Sequence, residues 1–299
     1  MTVAWVVPRP GPAATLPRMS NAGRVALAAS MTILAAACGD SPRDRVGDGG
    51  GGGGDAGGGG GDAGGGGDGP RSDGEAYVFA HSSSALYRID PDTLNITLVG
   101  EFDWPSFSDE MTDLAIDGDG RMIGISFGAV YEVDPVTARA TLLSSSLPGE
   151  YNGLSFVPAE ALGQTGPDVL VGLESTSGAV SRIDPLTGDT TVVGDMGGSF
   201  ESSGDLVSVV GFGTVATAEG GGNDTLVRLA PSTFLASALG GTGFGDLWGL
   251  GYWKNRVFAF SEAGQFVVVD VTTGAGTLVG SGSVRWWGAA VTTRAPVVE

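Results

Sequence analysis

Apolar and polar side chains alternate in short runs along most of the chain after residue 75. In the stretch Val180 to Gly194, two such runs flank the turn Asp184 to Gly188. An alternation with a period of two is typical of a β-strand that buries one face. Clusters of Asp, Pro, Thr and Gly are typical of tight turns. The pattern therefore predicts an all-β domain built from short strands and turns.

One motif within this pattern occurs five times. It consists of an apolar residue, Asp-Pro-x-Thr, three further residues, Thr, two apolar residues and Gly. The copies are IDPDTLNITLVG (89–100), VDPVTARATLLS (133–144), IDPLTGDTTVVG (183–194), LAPSTFLASALG (229–240) and VDVTTGAGTLVG (269–280). Successive copies begin 44, 50, 46 and 40 residues apart, which is the repeat length of four-stranded propeller blades.

The motif has the chemistry of a strand, a tight turn and a second strand. An Asp side chain can accept a hydrogen bond from the backbone two residues further on, and Pro restricts φ in the turn. Gly188 and Gly274 can adopt the positive φ that such turns require. We therefore interpret the repeated Asp residues as turn caps rather than as metal ligands or catalytic groups.

The segments between the copies complete the blades. Two apolar runs precede each copy except the first, at residues 113–126, 153–175, 205–219 and 247–262. The first copy has only the run 76–82, and a lone run at 285–293 follows the last copy. Residues 75–299 are therefore predicted to form a five-bladed β-propeller, in which the C-terminal strand completes the first four-stranded blade and closes the ring.

The first 37 residues contain no acidic residue and have the layout of an export signal. A basic segment begins at Met19, the interpreted true start, and an apolar segment of 13 residues then precedes Cys38. A membrane-spanning helix would need about 20 apolar residues. The stretch Leu34-Ala35-Ala36-Ala37-Cys38 resembles the lipobox of bacterial lipoproteins, which implies that Cys38 is lipidated and becomes the mature N-terminus. The alternative is a secreted protein with a free cysteine, because an Ala-x-Ala cleavage site is also present.

A linker is predicted between Cys38 and the propeller, over residues 38–74. Within it, residues 47–69 consist only of Gly, Asp and Ala. Such a segment cannot bury a core and is expected to be disordered, with a root-mean-square reach of about 25 Å. Calcium binding by the repeated Gly and Asp is weakly supported, because the nonapeptide spacing of calcium-binding β-rolls is absent.

The charge of the chain limits its partners. From residue 38 onward there are 12 basic and 34 acidic residues, a net charge of −22. Such a surface repels nucleic acid and anionic lipid, so no nucleic-acid partner is expected. Cys38 is the only cysteine, which excludes an intramolecular disulfide.

The loops that lead from each outer strand to the next blade are expected on one face of the ring, around the central channel. We call them the loop face; they comprise residues 101–111, 145–152, 196–204, 241–248 and 281–287. The candidate binding residues there are Asp103, Trp104, Phe107, Tyr151, Phe200, Phe244, Asp246, Trp248 and Trp286. Aromatic platforms beside acidic acceptors predict a shallow site for a sugar, a peptide or a cationic group. The alternative is that the aromatic side chains pack between blades.

Two functions are compatible with these features. The first is a noncatalytic binding or scaffold module, because partners for nucleophilic catalysis are absent. The alternative is a glycan-active hydrolase, whose carboxylate pair would come from Asp113 and Asp205, with Glu110 or Glu150. The equivalent positions in the other blades are all Gly. Such chemistry needs carboxyl groups about 5 to 9.5 Å apart across an open channel.

No cofactor or metal is expected. The segment Asp117 to Gly120 is interpreted as a hairpin turn rather than a calcium loop, because the later ligands are missing. His81, the only histidine, is interpreted as structural, since no Cys or second His could share a zinc site.

The repeated IDPxTxxxTLVG pattern resembles secreted bacterial propellers with NHL and YVTN repeats, over about three quarters of the chain. This resemblance implies the fold but not a function. Together with the export signal, it indicates a lipoprotein of the cell envelope, expected at the outer membrane on its periplasmic face or at the cell surface. The expected partners are the membrane, through the lipid on Cys38, and an envelope protein or a glycan.

Overall fold

The computed structural model describes residues 78–198 and 200–298. These residues form five antiparallel sheets of four strands each, and the inner strand of each sheet packs against those of its neighbours to close a ring. The five-bladed β-propeller predicted from the repeats is therefore confirmed. The predicted signal, Cys38 and the Gly-rich linker lie outside the described residues.

The strands of each blade run in chain order from the channel outward, except in blade 1, where the last strand of the chain is innermost. Blade 1 contains β20 (Gly288–Ala290), β1 (Val78–His81), β2 (Ala85–Ile89) and β3 (Ile96–Glu101); blade 2 contains β4 (Asp113–Ile116), β5 (Met122–Ile125), β6 (Val130–Val133) and β7 (Ala140–Ser144); blade 3 contains β8 (Tyr151–Val157), β9 (Val169–Glu174), β10 (Ala179–Ile183) and β11 (Thr190–Asp195); blade 4 contains β12 (Ser202–Val209), β13 (Gly213–Ala218), β14 (Thr225–Leu229) and β15 (Ala236–Gly241); blade 5 contains β16 (Leu247–Trp253), β17 (Arg256–Ser261), β18 (Gln265–Asp270) and β19 (Gly276–Ser281). A short 3₁₀ helix, Ala159–Leu162, follows β8.

Closure of the ring depends on a short strand. Within the predicted run 285–293, only β20 pairs with β1, in a register that places Ala290 opposite Phe79 and Gly288 opposite His81. The backbone N–H of Trp287 adds one bond to the carbonyl of His81, at 2.8 Å. The ends of the described chain thus share one blade, as expected, through only three residue pairs.

The Asp-Pro-x-Thr segments form the predicted turns between the third and fourth strands of each blade. The carboxylate of Asp184, for example, accepts hydrogen bonds from the N–H groups of Leu186 and Thr187, at 2.9 and 3.3 Å. The residue after Thr has a positive φ in all five copies: Leu94, Ala138, Gly188, Phe234 and Gly274. The interpretation of the repeated Asp residues as turn caps is therefore confirmed.

Every outer strand contains a β-bulge that the motif alone did not predict. In blade 1, Gly100 lies opposite Leu86 and Leu98 lies opposite Tyr87, which leaves Val99 as the extra residue. The equivalent extra residues in the other blades are Leu143, Val193, Leu239 and Val279. All five pack against the buried cores, whereas the apolar residue before the bulge is exposed in blades 2 to 5. The bulges also interrupt the regular edge that other chains could extend.

The final Gly of the motif is explained by contact between successive blades. A Cβ on Gly194 would lie 2.5 Å from the carbonyl oxygen of Thr233, in the turn of the next copy. The same turn accepts a hydrogen bond from the N–H of Asp195, at 3.1 Å. Where Ser144 replaces the Gly, its hydroxyl donates to the carbonyl of Thr187 in the next turn, at 2.8 Å. The motif thus encodes both a turn and the surface against which the preceding blade packs.

The chain after β20 crosses the end of the ring that lies opposite the loop face. This segment, residues 291–298, bonds to the connections after the inner strands of the four other blades, at Asp117, Asp168, Val210 and Lys254. The carbonyl of Thr293, for instance, accepts the N–H of Val210 at 2.8 Å, and its hydroxyl donates to the carboxylate of Asp168 at 2.5 Å. That end of the channel is therefore covered.

Replacing the motif Gly by Ala should weaken the contact between blades. In Gly240→Ala, the Cβ would overlap the carbonyl oxygen of Thr273, and we expect the free energy of unfolding to fall by about 1–3 kcal/mol. Gly241→Ala is the matched control, because nothing lies within 4 Å of a Cβ at that position. Urea denaturation followed by tryptophan fluorescence measures both variants. Equal stability of the two variants would contradict this role of the motif Gly.

Candidate functional site: the channel cluster and the loop face

Two aspartates fill the loop-face end of the channel. Each inner strand has one edge that no other strand of its blade pairs with, and buried N–H groups need acceptors. The carboxylate of Asp113, the first residue of β4, accepts the N–H of Leu114 in its own blade at 2.8 Å. It also accepts the N–H of Leu154 in blade 3, at 2.6 Å. One side chain therefore joins two blades.

Asp205 makes the equivalent contacts in the next two blades. Its carboxylate accepts the N–H of Leu206 in blade 4 and that of Leu250 in blade 5, both at 2.6 Å. The two carboxyl groups together bind inner-strand amides from four of the five blades. They act as internal caps of the channel, a role that the sequence analysis had not assigned to them.

The other three blades have Gly at the equivalent position because the neighbouring inner strand or, at Gly288, the side chains of Asp113 and His81 occupy the space. A Cβ on Gly153 would lie 3.0 Å from the carbonyl oxygen of Gly204. A Cβ on Gly249 would lie 2.6 Å from the carbonyl carbon of Gly288. At Gly288 itself, a Cβ would overlap both the carboxylate of Asp113 and the ring of His81. Two acids and three glycines thus share one narrow cross-section.

Asp113 and Asp205 form a coupled pair. Both side chains are fully buried and are hydrogen-bonded to each other, so at least one proton lies between them. Burial raises the pKa of both carboxyls well above the usual range. The charge of Asp205 raises the pKa of Asp113 further.

His81 lies beside this pair. It is fully buried on β1, and its Nε2 is 3.7 Å from the nearer carboxylate oxygen of Asp113. Its Nδ1 is 2.9 Å from the carbonyl oxygen of Ser82, which can only accept, so Nδ1 carries the proton. Burial lowers the pKa of His81 to about 4, and the imidazole is therefore neutral near pH 7.

The pair does not have the geometry of a glycoside hydrolase. A carboxyl–carboxyl hydrogen bond is shorter than the separation of about 5 to 9.5 Å that a bound sugar requires, and no surface of either group is open to solvent. The other two acids of that hypothesis, Glu110 and Glu150, are exposed on the loop face. The open channel carboxylates expected for glycan hydrolysis are therefore not found.

The loop face does present exposed aromatic side chains. Phe107, in the loop between β3 and β4, is 88% exposed. Phe127 lies outside the five loops, in the turn between β5 and β6 at the same end of blade 2, and is 64% exposed; we include this turn in the loop face from here on. The ring of Phe127 contacts the half-buried ring of Trp287 edge to face, with centroids 6.4 Å apart. The sequence analysis did not select Phe127 or Trp287. Trp287, next to the closing strand, was detectable only as part of a strand run.

The loop that carries Phe107 is held by a second aromatic group. Half-buried Trp104 packs edge to face on Tyr131 of β6, with centroids 5.0 Å apart. The hydroxyl of Tyr131 donates to the carboxylate of Asp109 at 2.7 Å. Burial and this carboxylate raise the pKa of Tyr131 to about 12. Asp103, also a candidate, is exposed nearby.

Several candidate aromatic residues pack inside the domain instead. Trp286 is fully buried between Tyr87 and Phe260, and Tyr151 is buried in the core between blades 2 and 3. Their rings are therefore taken up by apolar packing between blades, which is the alternative stated for the aromatic candidates. Phe200, Phe244 and Trp248 are half-buried.

A cavity of about 450 Å³ lies in the blade 5 part of the loop face. Its lining includes Asp246, Glu262, Val284 and Arg285. Arg285 forms an ion pair with Glu262. Asp246 is exposed and has a positive φ of 53°, a conformation that Asp tolerates better than most residues.

Within residues 78–198 and 200–298, no group of three or more His, Cys, Asp or Glu side chains is arranged to hold a metal ion. The segment after β4 is a turn: Asp117 accepts hydrogen bonds from the N–H groups of Asp119 and Arg121, at 2.9 and 2.8 Å. Helices of the length and apolar character needed to cross a membrane are also absent from this part of the chain.

Comparison with known proteins shows no family for this chain. No protein-family model matches the chain, and no curated protein matches it. A chain in the crystal structure of a nidogen/laminin complex aligns with 74% of this chain and 100% of its own length, at 9% identity and a TM-score of 0.48. A chain from work on the de novo evolutionary emergence of a symmetrical protein aligns over 75% of this chain and 100% of its own length, at 16% identity and a TM-score of 0.48. A structural genomics protein of unknown function from Bacteroides thetaiotaomicron aligns over 71% of this chain and 56% of its own length, at 14% identity and a TM-score of 0.44. Similarities this distant do not indicate a ligand or a reaction.

Removing one channel carboxylate should lower the stability of the protein. In Asp205→Ala, the buried N–H groups of Leu206 and Leu250 lose their acceptor, and we expect the free energy of unfolding to fall by about 2–4 kcal/mol. Asp119→Ala is the control, because that side chain is exposed on a turn. Denaturant unfolding compares both with the parent protein. An Asp205→Ala protein as stable as the control would show that the carboxylate is dispensable.

Proposed function

We propose that this protein is a noncatalytic binding module of the cell envelope that uses its loop face to bind a positively charged partner. The observation that carries the proposal is that both ends of the channel are filled, by the aspartate pair and by the C-terminal segment, whereas the loop face exposes Phe107 and Phe127. Ligands of propellers bind to surfaces that the scaffold leaves open, and exposed loops on rigid scaffolds commonly carry function.

The charge of the loop face supports a cationic partner. Its five loops contain seven acidic residues and one basic residue, Arg285. That single base is already paired with Glu262. An approaching Lys or Arg side chain would therefore meet a surface of one sign, which favours association and orients the partner.

The exposed rings add a short-range contact to this long-range attraction. Phe127 and Trp287 lie edge to face beside the closing strand, and Phe107 projects from the neighbouring loop. Aromatic faces attract ammonium and guanidinium groups, by about 0.5–2 kcal/mol each. Large exposed aromatic side chains are also common in protein interfaces. A basic segment of another envelope protein suits this chemistry better than a neutral glycan.

The cellular setting comes from the sequence. The lipobox-like segment before Cys38 and the Gly-rich linker would tether the propeller to the outer membrane, and the linker's reach of about 25 Å would leave the loop face free to turn. The negative charge of the chain is consistent with such a tether, because the domain is repelled by anionic lipid.

Binding should depend on Phe127. With nona-arginine as the probe at 150 mM salt, we expect Phe127→Ala to raise the Kd by about five- to tenfold, the effect of losing about 1 kcal/mol of contact. Leu186→Ala is the control, because Leu186 is as exposed as Phe127, at 65%, but lies in an Asp-Pro-x-Thr turn and not on the loop face. Neither change alters charge, so non-specific attraction stays constant. Biolayer interferometry measures the Kd, with nona-glutamate as the negative probe.

Two outcomes would contradict the proposal. Equal affinity of both variants for nona-arginine would show that the attraction is non-specific. A saccharide response on a glycan array that is lost in Phe127→Ala, with no peptide binding, would assign the loop face to a glycan.

Membrane association should depend on Cys38. We expect the protein to be recovered in the membrane fraction, and Cys38→Ser to be recovered in the soluble fraction, because the lipid is attached through the thiol. Cell fractionation and immunoblotting measure both. Recovery of both proteins in the soluble fraction would indicate a secreted protein with a free cysteine.

A further inference from the structure

Three titratable side chains, His81, Asp113 and Asp205, lie together in the channel, and we call them the channel cluster. The proposed function does not use them. Asp113 and Asp205 are hydrogen-bonded to each other, and His81 lies against Asp113. All three side chains are fully buried. The groups that face them from the other inner strands are uncharged backbone atoms of Leu154, Leu250 and Gly288.

The position of the proton on His81 makes this arrangement sensitive to protonation. Because Nδ1 donates to the carbonyl of Ser82, Nε2 directs a lone pair towards the carboxylate of Asp113, 3.7 Å away. Among the described residues, Nε2 has no hydrogen-bond partner. A lone pair and a carboxylate that face each other in a dry channel repel each other, and the repulsion grows with the negative charge on the carboxyl pair. The proton shared by the aspartates limits that charge to one.

The cluster is also placed at the joints of the ring. Asp113 bonds blade 2 to blade 3, and Asp205 bonds blade 4 to blade 5. His81 belongs to blade 1, where it pairs with Gly288 of the closing strand. A Cβ on Gly288 would overlap both Asp113 and His81, so the closing strand passes directly against the cluster. All five blades therefore meet at these three side chains.

We propose that the cluster of His81, Asp113 and Asp205 is a proton-operated latch: with the shared proton the ring is closed, and loss of that proton releases β20 from β1. This role is independent of what the loop face binds. Release would expose the edges of β1 and β20, and it would move Trp287, which lies directly before β20 and contacts Phe127.

The direction of the pH dependence follows from the two kinds of group. Burial raises the pKa of the aspartates, so their contribution to stability is complete below the unfolded pKa and is lost as the pH rises through the folded pKa. The pKa of His81 is lowered to about 4, so its contribution is complete above its ordinary pKa of 6.5 and is lost as the pH falls. Above pH 6.5 the contribution of His81 is constant, so within this cluster the pH dependence comes from the aspartate pair.

We expect β20 to be released before any other inner strand because it is the shortest of the five inner strands. β20 has three residues, whereas the other inner strands have four to eight. It pairs with β1 on one edge and meets the acids on the other. Two adjacent carboxylates without a proton would repel each other in a medium of low dielectric constant, and the shortest strand has the fewest bonds to resist this.

Hydrogen exchange can test the latch on the full-length chain. As the pH is raised above 6.5, we expect the protection factors of residues 78–81 and 288–290 to fall about tenfold or more, while those of β9 and β10 stay nearly constant. Asp113→Asn, which cannot ionise, should remove this pH dependence. Asp119→Asn, on an exposed turn, should retain it.

His81 offers a second readout that needs no stable variant. Because the chain has one histidine, imidazole labelled with ¹³C gives a single signal in NMR spectra. We expect this signal to shift at a pH above the range in which a free histidine titrates, because the neighbouring pair loses its proton there. Asp205→Asn should abolish the shift.

Three results would overturn the latch. The first is a uniform loss of protection in all blades, which would indicate global unfolding. The second is a His81 signal that stays constant above pH 6.5 while protection also stays constant. The third is a stoichiometric change of the His81 signal on addition of Zn²⁺ that is lost in Asp113→Asn, which would make the cluster a metal site.

Discussion

The unpaired inner edges of the five inner strands place a ring of backbone N–H groups in a channel too narrow for bulk water. Those groups need acceptors, and two carboxylates supply them: Asp113 for blades 2 and 3, and Asp205 for blades 4 and 5. The three blades that carry no aspartate, blades 1, 3 and 5, have Gly at this level, since no further side chain fits. The architecture of the channel, its lack of an open site and its sensitivity to protonation all follow from this one requirement.

Because the channel acids serve as acceptors for backbone N–H groups, they are not free to meet a ligand at the centre of the ring. In a propeller with an open channel, acids on the inner strands could meet a substrate. Here they meet each other, and the C-terminal segment covers the opposite end through Thr293 and its neighbours. Exposed aromatic and acidic side chains occur instead on the loop face, at Phe107 and Phe127. The proposed binding surface and the channel are thus distinct, and Trp287, which precedes the closing strand, is in contact with Phe127.

The outer strand of each blade determines how that blade packs against the next one. The bulge at Val99 and its equivalents turns one apolar side chain of the motif into the core, and the Gly that follows allows the turn of the next blade to approach. Because this contact is repeated around the ring, a change at one Gly disturbs a joint rather than a single strand. The ring itself is closed by the short strand β20, which pairs with β1 through three residue pairs.

Much of the fold could be predicted from the sequence, because it depends on local and periodic features. Alternation specified the strands, Asp-Pro-x-Thr specified the turns, and the unpartnered run at 285–293 specified closure of a five-bladed ring. The site could not be predicted to the same depth. Trp286 and Phe127 are both aromatic residues beside short turns, yet one is buried and the other is 64% exposed, and only packing between blades decides this. The role of Asp113 and Asp205 likewise depends on amides from blades distant in sequence. The sequence indicated that these two acids lie at the channel, whereas only the tertiary structure showed that they hydrogen-bond neighbouring blades to each other.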